Sequence, residues 1–217
     1  MNVNRKEGER RSQAERRAAT RQALMDAARG LFGEKGFHGA AASEIVHRAG
    51  VTRGAMYHHF KDKRDLFRAV TEEIEGEVDE VALAAGREAM SETGEPIEAW
   101  MAALYATLDA YRQPDTRQIQ LVDGPAVLSR EEWEEIDAAH AIAQVEAGLE
   151  FLLGHGVIER RPLKPLAHLL HGATVQAAMY VAFADDPEKA REEIGGALRQ
   201  LLEGLRVGGD QAPKEDS

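Results

Sequence analysis

Val51-Thr52-Arg53-Gly54-Ala55-Met56-Tyr57-His58-His59-Phe60-Lys61 reads as a short helix that is too polar on one side to lie in a core. The Thr52 hydroxyl can cap its start, and Met56 and Phe60, four apart, supply one apolar face. Arg53, Gly54, Tyr57 and His58 are left to project outward, and Lys61 and Lys63 extend the set. These are residues that nucleic-acid recognition uses. An arginine fork matches guanine or phosphate, tyrosine and histidine donate to phosphate oxygens, and a glycine lets the backbone approach a groove wall. Upstream, Ser43-Glu44-Ile45-Val46-His47-Arg48-Ala49-Gly50 forms another two-turn helix, and Gly50 falls where a tight turn between crossing helices needs a residue free of steric penalty. Helix, glycine turn, helix is the outline of a helix-turn-helix.

The run from Ala28-Arg29-Gly30-Leu31-Phe32 through Gly36-Phe37, Ile45 and Ala49-Gly50-Val51, then across the quoted stretch to Asp62-Lys63 and Leu66-Phe67, resembles the DNA-binding domain of TetR-family transcriptional regulators. The likeness covers residues 16 to 70 without gaps and is more specific than periodicity alone. It implies an all-helical homodimer that binds double-stranded DNA at a near-palindromic operator and releases it when a small-molecule effector binds. The DNA-contacting set is then Ser43, Thr52, Arg53, Gly54, Ala55, Tyr57, His58, His59, Lys61 and Lys63. Arg53 is expected at a base edge, Tyr57 and Lys61 at phosphates. One departure is visible: many relatives carry hydroxyl residues near the start of the second helix, where this chain has Ala40-Ala41-Ala42. Ser43 or backbone N–H groups at that helix start can substitute.

The fold expected is all-α, with about nine helices: an N-terminal three-helix helix-turn-helix DNA-binding domain and a C-terminal helical ligand-binding and dimerisation domain. The boundaries read as a flexible basic arm over 1–14, the DNA-binding domain over 15–75, the second domain over 76–207 and a disordered tail over 208–217.

Charge distribution supports the division. The net charge is −11, yet residues 1–70 hold 15 Lys and Arg against 8 Asp and Glu, net +7, and the remainder holds 12 against 30, net −18. A basic head on an acidic body orients approach to phosphate; an ordinary solvated surface is the competing reading. With 217 residues and 43% apolar content the chain can bury a substantial core. It has no cysteine, which removes disulfides and thiolate metal sites and fits a cytoplasmic location. Met1 to Arg21 is charged throughout and lacks the apolar stretch of a signal peptide.

Along the chain, Leu24, Ala27, Ala28, Leu31 and Phe32 recur at helical spacing from Glu15 to Glu34, with Gly33 and Gly36 expected to end that helix and Phe37 to plug the small core. Asp62 caps a long helix carrying Leu66, Phe67, Val70, Ile74, Val78 and Val81, which joins the two domains. A break at Ser91–Glu95 precedes a helix from Pro96 to about Gln113, stopped by Pro114. A shorter helix over 115–123 is ended by Gly124-Pro125, and Ser129 with Glu132 forms a capping box for a long helix running through Trp133, Ile136 and His140 to Glu150. Residues Pro165 to Ala184 are apolar nearly all round. A membrane span is the first alternative there, but His168, His171 and Gln176 suit lipid poorly, and a helix packed on its own subunit and on a partner explains the pattern better. Asp186 and Pro187 cap a last amphipathic helix. Homodimerisation through residues 163 to 206 follows from that apolar excess.

A ligand cavity is expected from side chains such as Trp100, Met101, Tyr105, Trp133, His140, Phe151, His171 and Tyr180, because pockets combine apolar walls with a few polar tips. Aromatic stripes are also the usual stuff of cores. The chain shows no Ser or Cys nucleophile arrangement, phosphate-cradling glycine loop or zinc-protease pattern, so no enzyme, cofactor or metal role is assigned. The alternatives are a helical-bundle metal protein or enzyme, for which Asp137-x-x-His140 has the right spacing, and an architectural DNA binder without a ligand.

Overall fold

The structure, a computed structural model, describes residues 3–206, with side chains from Ser12 onward; the tail expected over 208–217 lies outside the described residues. It divides into two compact units, one of Met1–Ile74 with Gln113–Glu134, the other of Glu75–Arg112 with Glu135–Ser217.

The first unit contains α1 (Val3–Gly39), α2 (Ala42–Arg48), α3 (Arg53–His59) and the start of α4 (Lys63–Thr93). Leu24, Ala28, Leu31, Phe32, Ile45, Met56, Leu66 and Phe67 are buried together as its core. The rings of Phe32 and Phe37 both lie 5.1 Å from that of Phe67, edge to face, an arrangement that adds about 0.5–1.5 kcal/mol per pair to the area they bury. The expected capping residues act as read: Asp62 Oδ1 accepts from the Asp65 amide at 2.8 Å. Residues 1–14, expected as a flexible arm, are helical from Val3, and side-chain bonds from Arg16 back to Ser12 hold the turn where that arm was to end.

Residues 113–134, expected in the C-terminal domain, pack instead with the N-terminal unit. They form α6 (Pro114–Thr116), a π-helical stretch Arg117–Asp123 and α7 (Gly124–Val127), so the run continues through Gly124-Pro125 rather than ending there. Pro125 stands in the first turn of α7, where its missing N–H costs nothing. The seat for this segment is Gly33. A Cβ there would lie 2.7 Å from the Asp115 Cβ, so Gly33 is a place of close approach and not the helix stop it was read as. The chain turns instead at Gly36, at φ 69°, and Asp123 Oδ2 accepts the Phe37 amide at 2.7 Å just beyond the turn. Arg29 pairs with Asp115 at 2.7 Å, and the Gln120 amide donates to the Thr71 carbonyl at 2.8 Å.

The second unit holds the rest of α4, α5 (Pro96–Tyr111), the end of α8 (Arg130–Ala139), α9 (Ala141–Gly154), α10 (Leu163–Ala182) and α11 (Pro187–Glu203). The Ser129/Glu132 capping box forms as read, but the helix it starts breaks at His140, whose φ of −116° and ψ of −89° are not helical. Two bidentate pairs, Arg191 with Asp109 and Arg199 with Glu98, tie α11 to α5. With 114–127 taken as one helical run and α8 and α9 as one bent run, the described residues form nine helices.

Candidate DNA-binding helix and C-terminal cavity

In the first unit the turn between α2 and α3 is made by Gly50 at φ 67°. Thr52 caps α3, its hydroxyl accepting from the Ala55 amide at 3.2 Å. Met56 and Phe60 are buried, and Arg53, Gly54, Tyr57, His58 and Lys61 are exposed, so the face read from spacing is the face presented. Ala55 is half-buried between them. The Arg53 guanidinium lies 5.7 Å from the Tyr57 ring centre, which sets the two side chains side by side. A Cβ on Gly54 would meet nothing nearer than 3.9 Å, so the glycine leaves this face flat without being required by packing.

Two members of the candidate set are placed differently. Lys63 turns inward: its ammonium donates to the carbonyls of Phe37 at 2.7 Å and Ala40 at 3.0 Å and sits 4.2 Å from the Phe37 ring centre. It satisfies carbonyls freed at the end of α1, and burial lowers its pKa below the ordinary lysine value. His59 is half-buried, and burial, followed by the positive field of His58, Arg17 and Arg21, holds its imidazole below the ordinary histidine range. Ser43 is exposed in the first turn of α2, where Ala41 offers no side-chain cap and the Glu44 carboxylate accepts the Ala41 amide at 3.4 Å.

The second unit contains a cavity of ≈ 410 Å³ bounded by α4, α5, α9 and α10. Of the eight expected wall residues, Trp100, Phe151 and His171 line it. Trp100 packs against Gly148, where a Cβ would come within 2.6 Å of the ring, so the glycine makes room for the indole. The other five sit elsewhere. Met101 is core at 1% exposure. Tyr105 lies over Gly195 with the Arg191 guanidinium 4.3 Å from its ring centre. Tyr180 is 52% exposed, and Trp133 packs on Gly124 in the first unit. His140 Nδ1 is 2.8 Å from Asp79 Oδ2 and is not part of the lining.

The apolar wall is made by Val78, Leu83, Met90, Leu104, Val145 and Val175. Sequence reasoning missed the polar residues at one end. The Tyr111 hydroxyl donates to both Glu75 oxygens, at 2.9 and 3.1 Å, and the pair is almost wholly buried. Burial pushes the Glu75 carboxyl up to about 7; the Tyr111 bond opposes this, and Asp137 and Asp79 add to it. Burial also raises Asp79 against its bond to His140. His171 Nε2 is 3.4 Å from Asp137. The Asp137/His140 spacing therefore yields no shared site, since the two side chains engage different partners, and among the described residues no group of three or more His, Asp or Glu is placed to hold a metal ion. Glu75 did carry a signal: it stands four residues after Thr71 and three before Val78, on the buried stripe of α4.

Residues 97–205 match the family described as "Tetracyclin repressor-like, C-terminal domain", and residues 24–70 match "Bacterial regulatory proteins, tetR family". This chain belongs to the TetR family. A TetR-family transcriptional regulator of Pectobacterium atrosepticum is 28% identical, with 90% of this chain and 98% of that chain covered at a TM-score of 0.73. The HTH-type transcriptional regulator AcrR of Shigella flexneri is 47% identical over 64 residues, 30% of each chain. The HTH-type transcriptional repressor BepR of Brucella suis is 34% identical over 110 residues, 51% of each. The match thus spans about half or less of the length of these curated TetR-family relatives. Among the described residues no helix is long and apolar enough to cross a membrane.

Proposed function

We propose that this chain is a sequence-specific DNA-binding repressor that holds a near-palindromic operator as a homodimer and releases it when a small molecule occupies the C-terminal cavity. The observation that carries the reading is the exposed Arg53, Tyr57, His58 and Lys61 face of a helix anchored by buried Met56 and Phe60. Arg53 reads a base edge, Tyr57 and Lys61 hold phosphates, and Gly54 lets the backbone close on the groove. Replacing Arg53 by Ala should cost about 1–3 kcal/mol at one operator position, while Lys61→Ala weakens all sequences alike and flattens the salt dependence. Selection of bound fragments from random DNA, repeated with both variants, reads this; an Arg53→Ala protein with unchanged sequence preference assigns base reading to another residue.

Two-fold pairing through α10 and α11 is supported by large apolar side chains left in solvent there, Leu169 at 73%, Leu201 at 58% and Tyr180 at 52% exposure. Sedimentation at micromolar concentration should give a dimer, and Leu169→Asp combined with Leu201→Asp should give a monomer. A stable wild-type monomer would remove the two-fold reading of the operator. Effector control acts through α4, which carries Lys63 at one end and Glu75, Val78 and Asp79 further along. A ligand releases DNA only as far as it prefers the DNA-incompetent conformation. A DNA target fits the cytoplasmic location read from the sequence.

A further inference from the structure

The lining of the cavity says which chemistry an effector carries. Its walls are apolar and aromatic, and its ionisable groups are segregated. Glu75 and Asp79 lie together on α4, and Tyr111 from α5, His171 from α10, His140 at the end of α8 and Asp137 on α8 are the titratable groups around them. Three of those groups are carboxylic acids, and none is a lysine or arginine. The one lasting cation in the lining, Arg87, is exposed and lies some three turns further along α4, about 18 Å away. Glu75 is 4% exposed, its hydrogen-bond partner Tyr111 is a neutral donor, and the field of His140, itself bonded to Asp79, offsets its charge only in part. A buried carboxylate so weakly compensated is costly, and a cation from outside lowers that cost.

We propose that the effector is an organic cation with an aromatic or aliphatic body, its charged end against Glu75 and Asp79 and its body along Trp100, Val78 and Leu104. This rests on the reading of the cavity as the effector site and adds the charge of what enters it. The volume of ≈ 410 Å³ sits at the small end of the range of ligand pockets, about 300–1,000 Å³, so one compact molecule fills it. An anion meets carboxylates at the buried end. A neutral molecule leaves Glu75 as it is. Because Glu75 holds its proton until about pH 7, cation binding below that pH displaces the proton, and affinity rises with pH.

The probe is 3-phenylpropyl-trimethylammonium beside its neutral all-carbon isostere, each measured on the full chain by equilibrium dialysis at pH 5.5 and 8. The cation should bind roughly tenfold or more tightly at pH 8 than at pH 5.5, and roughly tenfold less tightly to Glu75→Gln than to wild type at pH 8. The isostere should respond to neither change. Glutamine keeps an acceptor for the Tyr111 hydroxyl, and should the variant not fold, the wild-type pH series decides alone. A cation indifferent to pH and to Glu75→Gln overturns the proposal, as does a failure of the cation to bind. Operator release is scored separately. A cation that binds with the expected pH dependence yet leaves the operator bound defeats the release mechanism and leaves this inference standing. A neutral compound that releases the operator when the cation does not bind does the reverse.

Discussion

Phe67→Ala should destabilise the N-terminal unit by about 3–5 kcal/mol and abolish operator binding at 37 °C. Phe67 is fully buried, with the rings of Phe32 and Phe37 both 5.1 Å away, so truncation removes its transfer energy, two ring contacts and the support of a neighbour that holds Lys63. Lys63 caps the end of α1 from over the Phe37 ring, and its inward bonds depend on that ring staying in place. The loss reaches α3 through packing, since Met56 shares the same core. Urea unfolding followed by helicity, together with operator affinity at 10 and 37 °C, checks this. A variant that melts early yet binds operator normally at 37 °C would show that α3 is held independently of the phenylalanine cluster.

The second large effect concerns pH and Glu75. The ordinary carboxyl value of 4.5 applies to the unfolded chain, and burial raises it to about 7 in the folded one. Between those values the folded state keeps a proton that the unfolded state has released, so stability falls as pH rises. The contribution of the protonated group is fully present below about pH 4.5 and is lost as pH passes through 7. The difference corresponds to about 3 kcal/mol, an order of magnitude for a group this buried. Glu75→Gln is neutral throughout. It should match wild type near pH 4 and exceed it by about 3 kcal/mol at pH 8, as read from unfolding midpoints at the two pH values. Equal differences at both would mean that the ionised carboxylate is fully accommodated in the cavity.

The helix-turn-helix was legible because its evidence is local. Thr52, Met56, Phe60 and Gly50 act within one turn of where they stand in the sequence, and each does in space what its position announces. The cavity was only half legible because a helical stripe shows which residues share a face and not which helix that face meets. Trp100, Met101 and Tyr105 follow one another on α5, yet Trp100 goes to the cavity against Gly148, Met101 to the core and Tyr105 to α11 over Gly195. Trp133 was assigned to the wrong unit for the same reason, since its partner Gly124 belongs to the run that returns to α1. Lys63 falls in the expected DNA-contacting set because the carbonyls it binds come from residues 37 and 40, more than twenty positions away in sequence.

The contact of Gly33 with Asp115 and the bond from Phe37 to Asp123 mean that the helix-turn-helix head is not finished where its own sequence ends. On the ribosome, Ile74 is added before residues 113–134, and until they follow the Phe37 amide lacks its partner Asp123. At about 5–20 residues per second, the roughly 60 residues separating Ile74 from Glu134 take ~3–12 s to add. For that interval the nascent head lacks the segment that seats on Gly33. Grafting residues 1–75 onto another body would make that delay permanent: α3 would travel, but the residues that close the turn at Gly36 would be left behind.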